Sequence, residues 1–354
     1  MKQIFLESHN IKNQFSGLGQ FNYHLIKGFY QNAQSDFKFT LHSNISAKLK
    51  SEFGTHFDYQ HYFSFTRYKA LRLPFKYDLW HSLNQNTKVE PRFKMPYVLT
   101  VHDVHFAEGP DSKDKTARIK RFEAKLKRAD ALVYISKFAR QATQQCFDTS
   151  DKPEYVIYNG NPMLDTSIPE DFILETAPKK PYLFTIGEFT ARKNFHALID
   201  MLQHLPDYEL IIAGNSDRPY TEKIKETISK NKLQNRVYLP GKISETEKKY
   251  HLKNSAAFVF PSLKEGFGIP IIEALRYGTP VITSNNTSLP EVGGDFATYW
   301  EHYEPEYMAE KVLEGIANYQ DQSLINAGIA HAKSFNWNTT AKEYLNVYRS
   351  VLNK

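Results

Sequence analysis

Short apolar runs rich in β-branched and aromatic residues alternate with helical patterns along the whole chain. In the first half, these runs predict strands at 3–8, 37–42, 78–82, 97–103, 131–136 and 155–160. Amphipathic helical patterns fall between several of the strands, at 19–31, 112–128 and 137–146. Because such alternation is typical of parallel βαβ units, we expect the first half to form an open α/β sheet.

A second series follows the proline-containing, acid-spotted stretch 161–181, which we interpret as an interdomain linker. Its predicted strands are 182–187, 208–214, 236–241, 256–262 and 280–284. Its predicted helices lie near 194–205, 220–231, 245–254, 270–277 and 305–319. The sequence therefore predicts two doubly wound domains in tandem, facing a central cleft, with ligands bound at the carboxyl ends of the strands.

The totals fit this organisation. A chain of 354 residues is long for a single hydrophobic core, which favours two domains. Its one cysteine, Cys146, excludes an internal disulfide and suits a reducing compartment. The first ten residues hold too short an apolar run for a signal peptide, and no later stretch is suited to span a bilayer. We expect the protein to stay in the cytoplasm.

The positive charge lies in the first half. Residues 1–160 carry 24 Lys and Arg against 15 Asp and Glu, a net +9, whereas the remainder carries 21 against 24, a net −3. The pattern 113–128 is especially basic, with Ile119, Phe122 and Leu126 on one face. It is either a solvated basic face or a surface that contacts anionic lipid at the inner membrane face.

Two carboxylates surround a glycine turn in "EGFGIPIIEAL", which begins at Glu265. Gly268 ends the turn, and Pro270 suits the first position of a helix, so Glu273 is expected in the first helical turn. A helix N-terminus stabilises negative charge, so Glu273 alone could merely compensate the helix dipole. Together with Glu265 and the glycines, it favours a polar ligand whose different parts are held by the two acids.

A second turn, "GEFTARKN", ends the strand 182–187 at Gly187. Arg192 and Lys193 then stand before Asn194, which we interpret as a helix N-cap. Two cations beside free helix amides suit a diphosphate, although an isolated Arg-Lys pair is more often just solvated.

Three weaker signals lie at other predicted strand ends. Gly17 and Gly19 follow the first strand. They form either a loop whose backbone a phosphate or sugar can approach closely or a plain tight turn. His102 ends another strand and suits a hydrogen bond to a sugar hydroxyl. Gly241 and Ile243 could contact a nucleobase through their backbone groups.

No metal site is predicted. His102 and His105 lack a third ligand, and the chain contains no D-x-D sequence. Neither a Walker A sequence nor a G-x-S-x-G elbow occurs. Ser136, between a strand and a helix, is interpreted first as an N-cap.

These motifs, in this order, resemble the retaining, nucleotide-sugar-dependent glycosyltransferases of family 4, over nearly the whole chain. The resemblance rests on the glycine turn after the first strand, "VHD", "VIYNG", "GEFTARKN", the E-x7-E block and "SLPEV". It implies the GT-B fold, with an acceptor-binding Rossmann-like domain at 1–160 and a nucleotide-sugar-binding domain at 182–334. Residues 335–354 would then form a C-terminal helix that packs back on the first domain.

The resemblance also implies roles for the residues. Arg192 and Lys193 would hold the donor diphosphate, which Gly17, Gly19 and Gly187 let approach. Glu265 and the amides of Phe267 and Gly268 would hold the sugar, Glu273 the ribose, and His102 the region near the reacting carbon. The activity would be transfer of a hexose from a GDP- or UDP-sugar to a glycan or lipid-linked acceptor in cell-surface polysaccharide synthesis, without metal or cofactor.

Other interpretations remain open on the sequence. A nucleotide-sugar epimerase or a phosphorylase would share the fold, and a donor-binding protein without turnover would share the motifs. A basic nucleic-acid-binding protein would explain the charge of the first half but neither Glu265 nor Glu273.

Overall fold

The computed structural model of the protein describes residues 1–14, 16–32, 36–163, 165–174 and 178–353. The chain divides into two compact units, Met1–Pro162 with Phe335–Lys354, and Met163–Ser334. Residues 164 and 175–177 of the predicted linker lie outside the described residues. Within the described part of the chain, no helix combines the length and apolar character that a bilayer crossing requires.

The first unit contains a parallel sheet whose strand order is β3-β2-β1-β4-β5-β6-β7. Its strands are β1 (Lys2–Glu7), β2 (Phe37–Ser43), β3 (Asp58–His61), β4 (Leu79–Ser82), β5 (Tyr97–Val101), β6 (Ala131–Tyr134) and β7 (Glu154–Val156). The helices between them are α1 (Gly17–Gln31), α2 (Ser46–Phe53), α3 (Lys113–Arg128) and α4 (Lys137–Cys146). The central strands are buried on both faces, which explains their continuous apolar runs.

The second unit contains a parallel sheet of order β10-β9-β8-β11-β12-β13. Its strands are β8 (Tyr182–Ile186), β9 (Glu209–Ala213), β10 (Val237–Gly241), β11 (Ala257–Phe260), β12 (Val281–Ser284) and β13 (Ala297–Trp300). Its helices are α5 (Phe195–Met201), α6 (Tyr220–Lys230), α7 (Glu245–Asn254), α8 (Ile269–Arg276), α9 (Leu289–Gly293), α10 (Pro305–Asn318) and α11 (Gln322–Ser334). Both units are therefore doubly wound α/β sheets of the Rossmann type.

Several predicted elements differ from the structure. The strand predicted at 155–160 ends at Val156, because the following backbone turns to pair with the C-terminal segment, where Asn161 donates to the Phe335 carbonyl (2.9 Å). Strands β3 and β13 were not predicted, since β3 is a polar edge strand and β13 is short and half-buried. Ser136 is confirmed as an N-cap, because its hydroxyl accepts from the Ala139 amide (3.0 Å).

The last helix, α12 (Trp337–Leu352), packs against α1 in the first unit. Its Tyr348 hydroxyl lies 2.7 Å from Nδ1 of His81 on β4, and Tyr344 lies 3.0 Å from Thr100 on β5. All four side chains are buried, so their polar atoms satisfy one another within the core. A Cβ on Gly28 of α1 would lie 2.7 Å from the Trp337 carbonyl oxygen, which shows how closely the two helices approach.

We therefore expect Gly28→Leu to destabilise the first unit by about 1–3 kcal/mol, because the new side chain must push α12 away from α1. Chemical denaturation followed by circular dichroism measures this change. Gly17→Ala is the matched control, since a Cβ on Gly17 meets no atom within 4 Å. Equal stability of the two variants would contradict the close helix contact.

Candidate functional site

Three of the predicted site residues of the second unit, Arg192, Lys193 and Glu265, lie together where its strand order reverses. Strands β8 and β11 are neighbours, and the chain leaves them towards opposite edges of the sheet. The loop after β8 carries Arg192 and Lys193, and the loop after β11 carries Glu265. The Leu263 amide donates to the Arg192 carbonyl (2.8 Å), which joins the loops. Such a switch point is where open α/β sheets bind ligands.

Glu265 is paired with both cations. Its Oε1 lies 2.5 Å from the Lys193 ammonium, and its Oε2 lies 2.9 Å from the Arg192 guanidinium. The Ser262 hydroxyl also donates to Oε1 (2.6 Å). The Lys193 and Glu265 side chains are buried, whereas the Arg192 side chain is 42% exposed. The sequence suggested a cation pair and a separate acid, but the structure joins them in one ion cluster.

The cluster strongly favours the charged form of Glu265. Burial acts to raise the pKa of Glu265, but the charges of Lys193 and Arg192, with the hydrogen bonds from Lys193 and Ser262, lower it to about 2. The Lys193 ammonium also lies 4.6 Å from the centre of the Phe260 ring. Because one carboxylate pairs with both cations, the three residues act as one electrostatic unit that carries a net positive charge.

The loop before α9 holds Glu265 in place. The Glu265 amide donates to Oγ1 of Thr287 (3.1 Å), and the Ser288 hydroxyl lies within 3.0 Å of the Glu265 and Phe267 carbonyl oxygens. No role was predicted for Thr287 or Ser288, although Ser288 begins the SLPEV motif. The loop follows β12, at the same edge of the sheet as the loops after β8 and β11.

Helix α8 begins at Ile269, one residue before Pro270, which was predicted to be its first residue. Gly268 is its N-cap and has φ +107°, a conformation that favours glycine. Glu273 is the fifth residue of α8, so the prediction that it lies in the first turn is wrong. Glu273 is buried and pairs with Lys248 of α7 (3.0 Å). No local sequence pattern indicates Lys248, because the pair joins two helices.

Burial acts to lower the pKa of Lys248, but Glu273 and Glu245 outweigh it and raise that pKa. The two acids of the E-x7-E block thus have different cationic partners. Glu265 is held at the β8–β11 switch point, and Glu273 is held between α7 and α8. Each acid is oriented independently of the other.

Three further predicted residues lie at strand ends in this unit. A Cβ on Gly187 would lie 3.3 Å from the Lys193 side chain, so glycine leaves room for the buried lysine. Gly241 ends β10 with φ +74°, and Ile243 is half-buried in the loop before α7. Asn194 is the N-cap residue of α5, as predicted, but it adopts a left-handed conformation and its side chain makes no capping hydrogen bond.

The first unit carries Gly17, Gly19 and His102. Gly17 opens α1 on the surface, whereas a Cβ on Gly19 would collide with the Asn13 carbonyl oxygen, so the second glycine is required by packing. His102 follows β5, and its Nε2 donates to the Leu83 carbonyl (2.8 Å). Burial lowers the pKa of His102, so the ring is neutral near pH 7 and Nδ1 is left as an acceptor.

Two cavities lie away from these residues. One of about 320 Å³ is lined by β13, α10 and their neighbours, and one of about 230 Å³ by residues that include His9, Asn84 and Lys88. None of the predicted site residues lines either cavity. Among the described residues, no group of three His, Cys, Asp or Glu side chains is arranged to hold a metal ion.

Comparison with known proteins adds an independent line of evidence. Residues 168–330 match the family model for glycosyl transferases group 1. The O-antigen chain mannosyltransferase B of Escherichia coli is 26% identical over 292 residues, 73% of this chain and 73% of that protein. These matches support a group 1 glycosyltransferase. The O-antigen chain mannosyltransferase RfbU of Salmonella typhimurium is 29% identical over 205 residues, 57% of this chain and about half (55%) of RfbU.

A solved glycosyltransferase-type fold matches the whole chain. One match is the crystal structure of HepE from Anabaena in complex with UDP and glucose, with a TM-score of 0.73. The sequences are 16% identical, and the match covers 99% of this chain and 100% of HepE. The predicted fold class, two Rossmann-like domains of the GT-B type, is confirmed by this likeness and by the two parallel sheets.

We expect Glu265→Gln to destabilise the second unit by about 3 kcal/mol, because it leaves the Lys193 ammonium buried without its partner. Adding Lys193→Met removes that charge and should restore much of the loss. Chemical denaturation of both single variants and the double variant measures the coupling. Strictly additive changes would contradict a shared ion cluster.

The cluster also predicts a pH dependence. Because folding lowers the pKa of Glu265 from 4.5 to about 2, its contribution to stability is complete above pH 5 and is lost as the pH falls towards 2. The melting temperature of the unaltered chain should therefore fall more steeply between pH 5 and 3 than that of Glu265→Gln. Parallel curves would show that Glu265 is not stabilised by the cations.

Proposed function

We propose that this chain transfers a mannosyl group from a GDP- or UDP-linked donor to a glycan or lipid-linked acceptor in cell-surface polysaccharide synthesis, with retention of the anomeric configuration. The ion cluster of Arg192, Lys193 and Glu265 at the β8–β11 switch point carries the proposal. The O-antigen mannosyltransferase relatives support the sugar, and the UDP complex of HepE supports a nucleotide-linked donor.

The donor diphosphate would take over contacts that Glu265 makes. Arg192 is the more exposed cation, so it is the first that an incoming phosphate can reach, and Lys193 lies behind it. A diphosphate carries more negative charge than one carboxylate and accepts hydrogen bonds on more oxygens. Exchange keeps both cations paired, so the buried charge of Lys193 is never left uncompensated.

The same cations would stabilise the transition state. As the bond between the sugar carbon and the phosphate oxygen breaks, negative charge grows on the leaving diphosphate, and Arg192 and Lys193 stabilise that charge more than the ground state. The acceptor oxygen forms the new bond on the same face of the sugar, and its proton passes to the leaving phosphate oxygen. In this scheme no metal is needed, because the two side chains supply the countercharge.

The acids would bind hydroxyl groups. Once the cations hold the diphosphate, the Glu265 carboxylate accepts hydrogen bonds from hydroxyls of the sugar. The amides of Phe267 and Gly268 donate hydrogen bonds to the sugar. Glu273, oriented by Lys248, accepts from the ribose hydroxyls. Gly187, Gly241 and Ile243 keep their proposed roles in contacting the donor through the backbone.

The residues of the first unit would act on the sugar and the phosphates. The free Nδ1 of neutral His102 accepts from a sugar hydroxyl near the reacting carbon, because Nε2 already donates to Leu83. Gly17 leaves open space for a phosphate, whereas the packing of Gly19 accounts for that glycine without a ligand.

We expect Arg192→Ala and Lys193→Ala to lower mannosyl transfer about 100-fold or more, because each removes a positive charge that stabilises the leaving diphosphate. Glu273→Ala should weaken donor binding instead. Lys225→Ala, which removes an exposed cation of α6, is the control and should keep full activity. Transfer is measured with radiolabelled donor, and the anomeric configuration of the product by NMR coupling.

A thermal-shift panel of nucleotide-sugars identifies the donor, because a bound donor raises the melting temperature by mass action. Full transfer by both Arg192→Ala and Lys193→Ala would overturn the diphosphate assignment. Inversion at C2 of the donor without acceptor would indicate an epimerase, and loss of transfer with a chelator would contradict metal independence.

A further inference from the structure

An unusual concentration of exposed apolar side chains lies between β3 and β4. Residues 61–76, here called the aromatic–basic segment, read "HYFSFTRYKALRLPFK". Five large apolar side chains of this segment are between 47% and 65% exposed: Phe63, Phe65, Tyr68, Leu71 and Phe75. Single exposed apolar residues are ordinary on protein surfaces, but five within 13 residues indicate an interaction surface.

The segment is fixed to the domain by its other side chains. Leu73 is buried in the core of the first unit, and Tyr62 packs against that core. The Thr66 hydroxyl is buried and donates to the Phe63 carbonyl (2.7 Å), which shapes the turn between the exposed rings. The Phe63 and Phe65 rings are stacked with centres 5.2 Å apart. The exposed side chains are therefore displayed by an anchored backbone.

The segment is also strongly basic. It contains Arg67, Lys69, Arg72 and Lys76, and no acid occurs between Asp58 and Asp78. Within the described part of the chain, Arg67, Lys69 and Lys76 form no ion pair with an acid, so their charge is presented to the surroundings. Cations mixed with aromatic and aliphatic side chains suit the headgroup region of an anionic bilayer.

We propose that the aromatic–basic segment docks this protein on a membrane surface rich in anionic lipid. Phe63, Phe65, Tyr68, Leu71 and Phe75 enter the interface between headgroups and acyl chains. The exposed cations Arg67, Lys69 and Lys76 contact lipid phosphates. This places the enzyme beside an acceptor carried by a lipid. The docking itself is independent of the proposed catalytic function, because it needs neither donor nor acceptor.

Helix α3, for which the sequence left a solvated basic face and a membrane contact as alternatives, is less suited to the membrane. None of its residues is among the exposed large apolar side chains, because Phe122 and Leu126 are buried in the core. Part of its charge is also compensated, since Arg118 pairs with Asp114 and Lys125 with Glu90. What α3 displays is a solvated basic face.

A bilayer fits the segment better than other partners. A second copy of the chain in a symmetric dimer would bring cations against cations without an acid to pair them. A nucleic acid would match the charge and could stack on the rings, but aliphatic Leu71 has no planar face to stack a base. A hydrocarbon boundary accommodates all five apolar side chains.

Vesicle flotation with the full chain tests the proposal. We expect binding to vesicles of 70% phosphatidylcholine and 30% phosphatidylglycerol, and much weaker binding to pure phosphatidylcholine. The variant Phe63→Ser/Phe65→Ser should weaken binding about tenfold or more, because two side chains no longer enter the interface. The variant Arg67→Glu/Lys69→Glu should weaken it about 30-fold or more.

The matched control is Lys120→Glu/Lys127→Glu on α3, which changes the net charge equally at exposed positions. It should alter vesicle binding by less than about threefold, because charge away from the contact is screened by salt. All three variants should keep the melting temperature, since the altered side chains are exposed.

Three results would overturn the proposal. The first is equal binding to anionic and neutral vesicles, or none to either. The second is a larger loss for the α3 control than for the segment variants. The third is vesicle binding that survives both segment variants while they abolish self-association or the binding of single-stranded DNA, which would assign the surface to a second copy or to nucleic acid.

Discussion

The second unit depends on a buried carboxylate that pairs with two cations from another loop. Burying Lys193 in a fold is costly unless a negative charge lies beside it, and Glu265 supplies that charge at 2.5 Å. The pairing fixes the loop after β8 to the loop after β11, together with the hydrogen bond from Leu263 to Arg192. A strong ion pair is therefore placed where the sheet changes direction and where a ligand is expected.

This arrangement links stability to chemistry. In the proposed reaction, Arg192 and Lys193 would exchange Glu265 for the donor diphosphate and would then stabilise the charge that develops on it. Thr287 and Ser288, which hydrogen-bond to the backbone of Glu265, belong to a third loop. The position of Glu265 therefore depends on three loops at this edge of the sheet. The second acid, Glu273, is oriented separately by Lys248.

The first unit combines a rigid core with an unusual surface. Helix α12 packs on this unit, and its Tyr348 and Tyr344 hydroxyls form hydrogen bonds with buried side chains of β4 and β5. Between β3 and β4, by contrast, the chain turns aromatic side chains outward while neighbouring residues remain anchored in the core. The proposed membrane contact thus comes from a segment that contains two short 3-10 helices, Ser64–Arg67 and Lys69–Leu71. The basic helix α3 uses its apolar face for packing.

The sequence alone determined most of the α/β alternation and indicated Arg192, Lys193, Glu265 and Glu273 as site residues. It could do so because hydrophobic periodicity, glycines and prolines determine local backbone structure. Tertiary structure decided what those residues contact: the pairing of Glu265 with both cations, the roles of Ser288 and Lys248, and the left-handed Asn194. Such contacts join residues tens of positions apart, so they depend on strand order and helix packing, which local patterns do not contain.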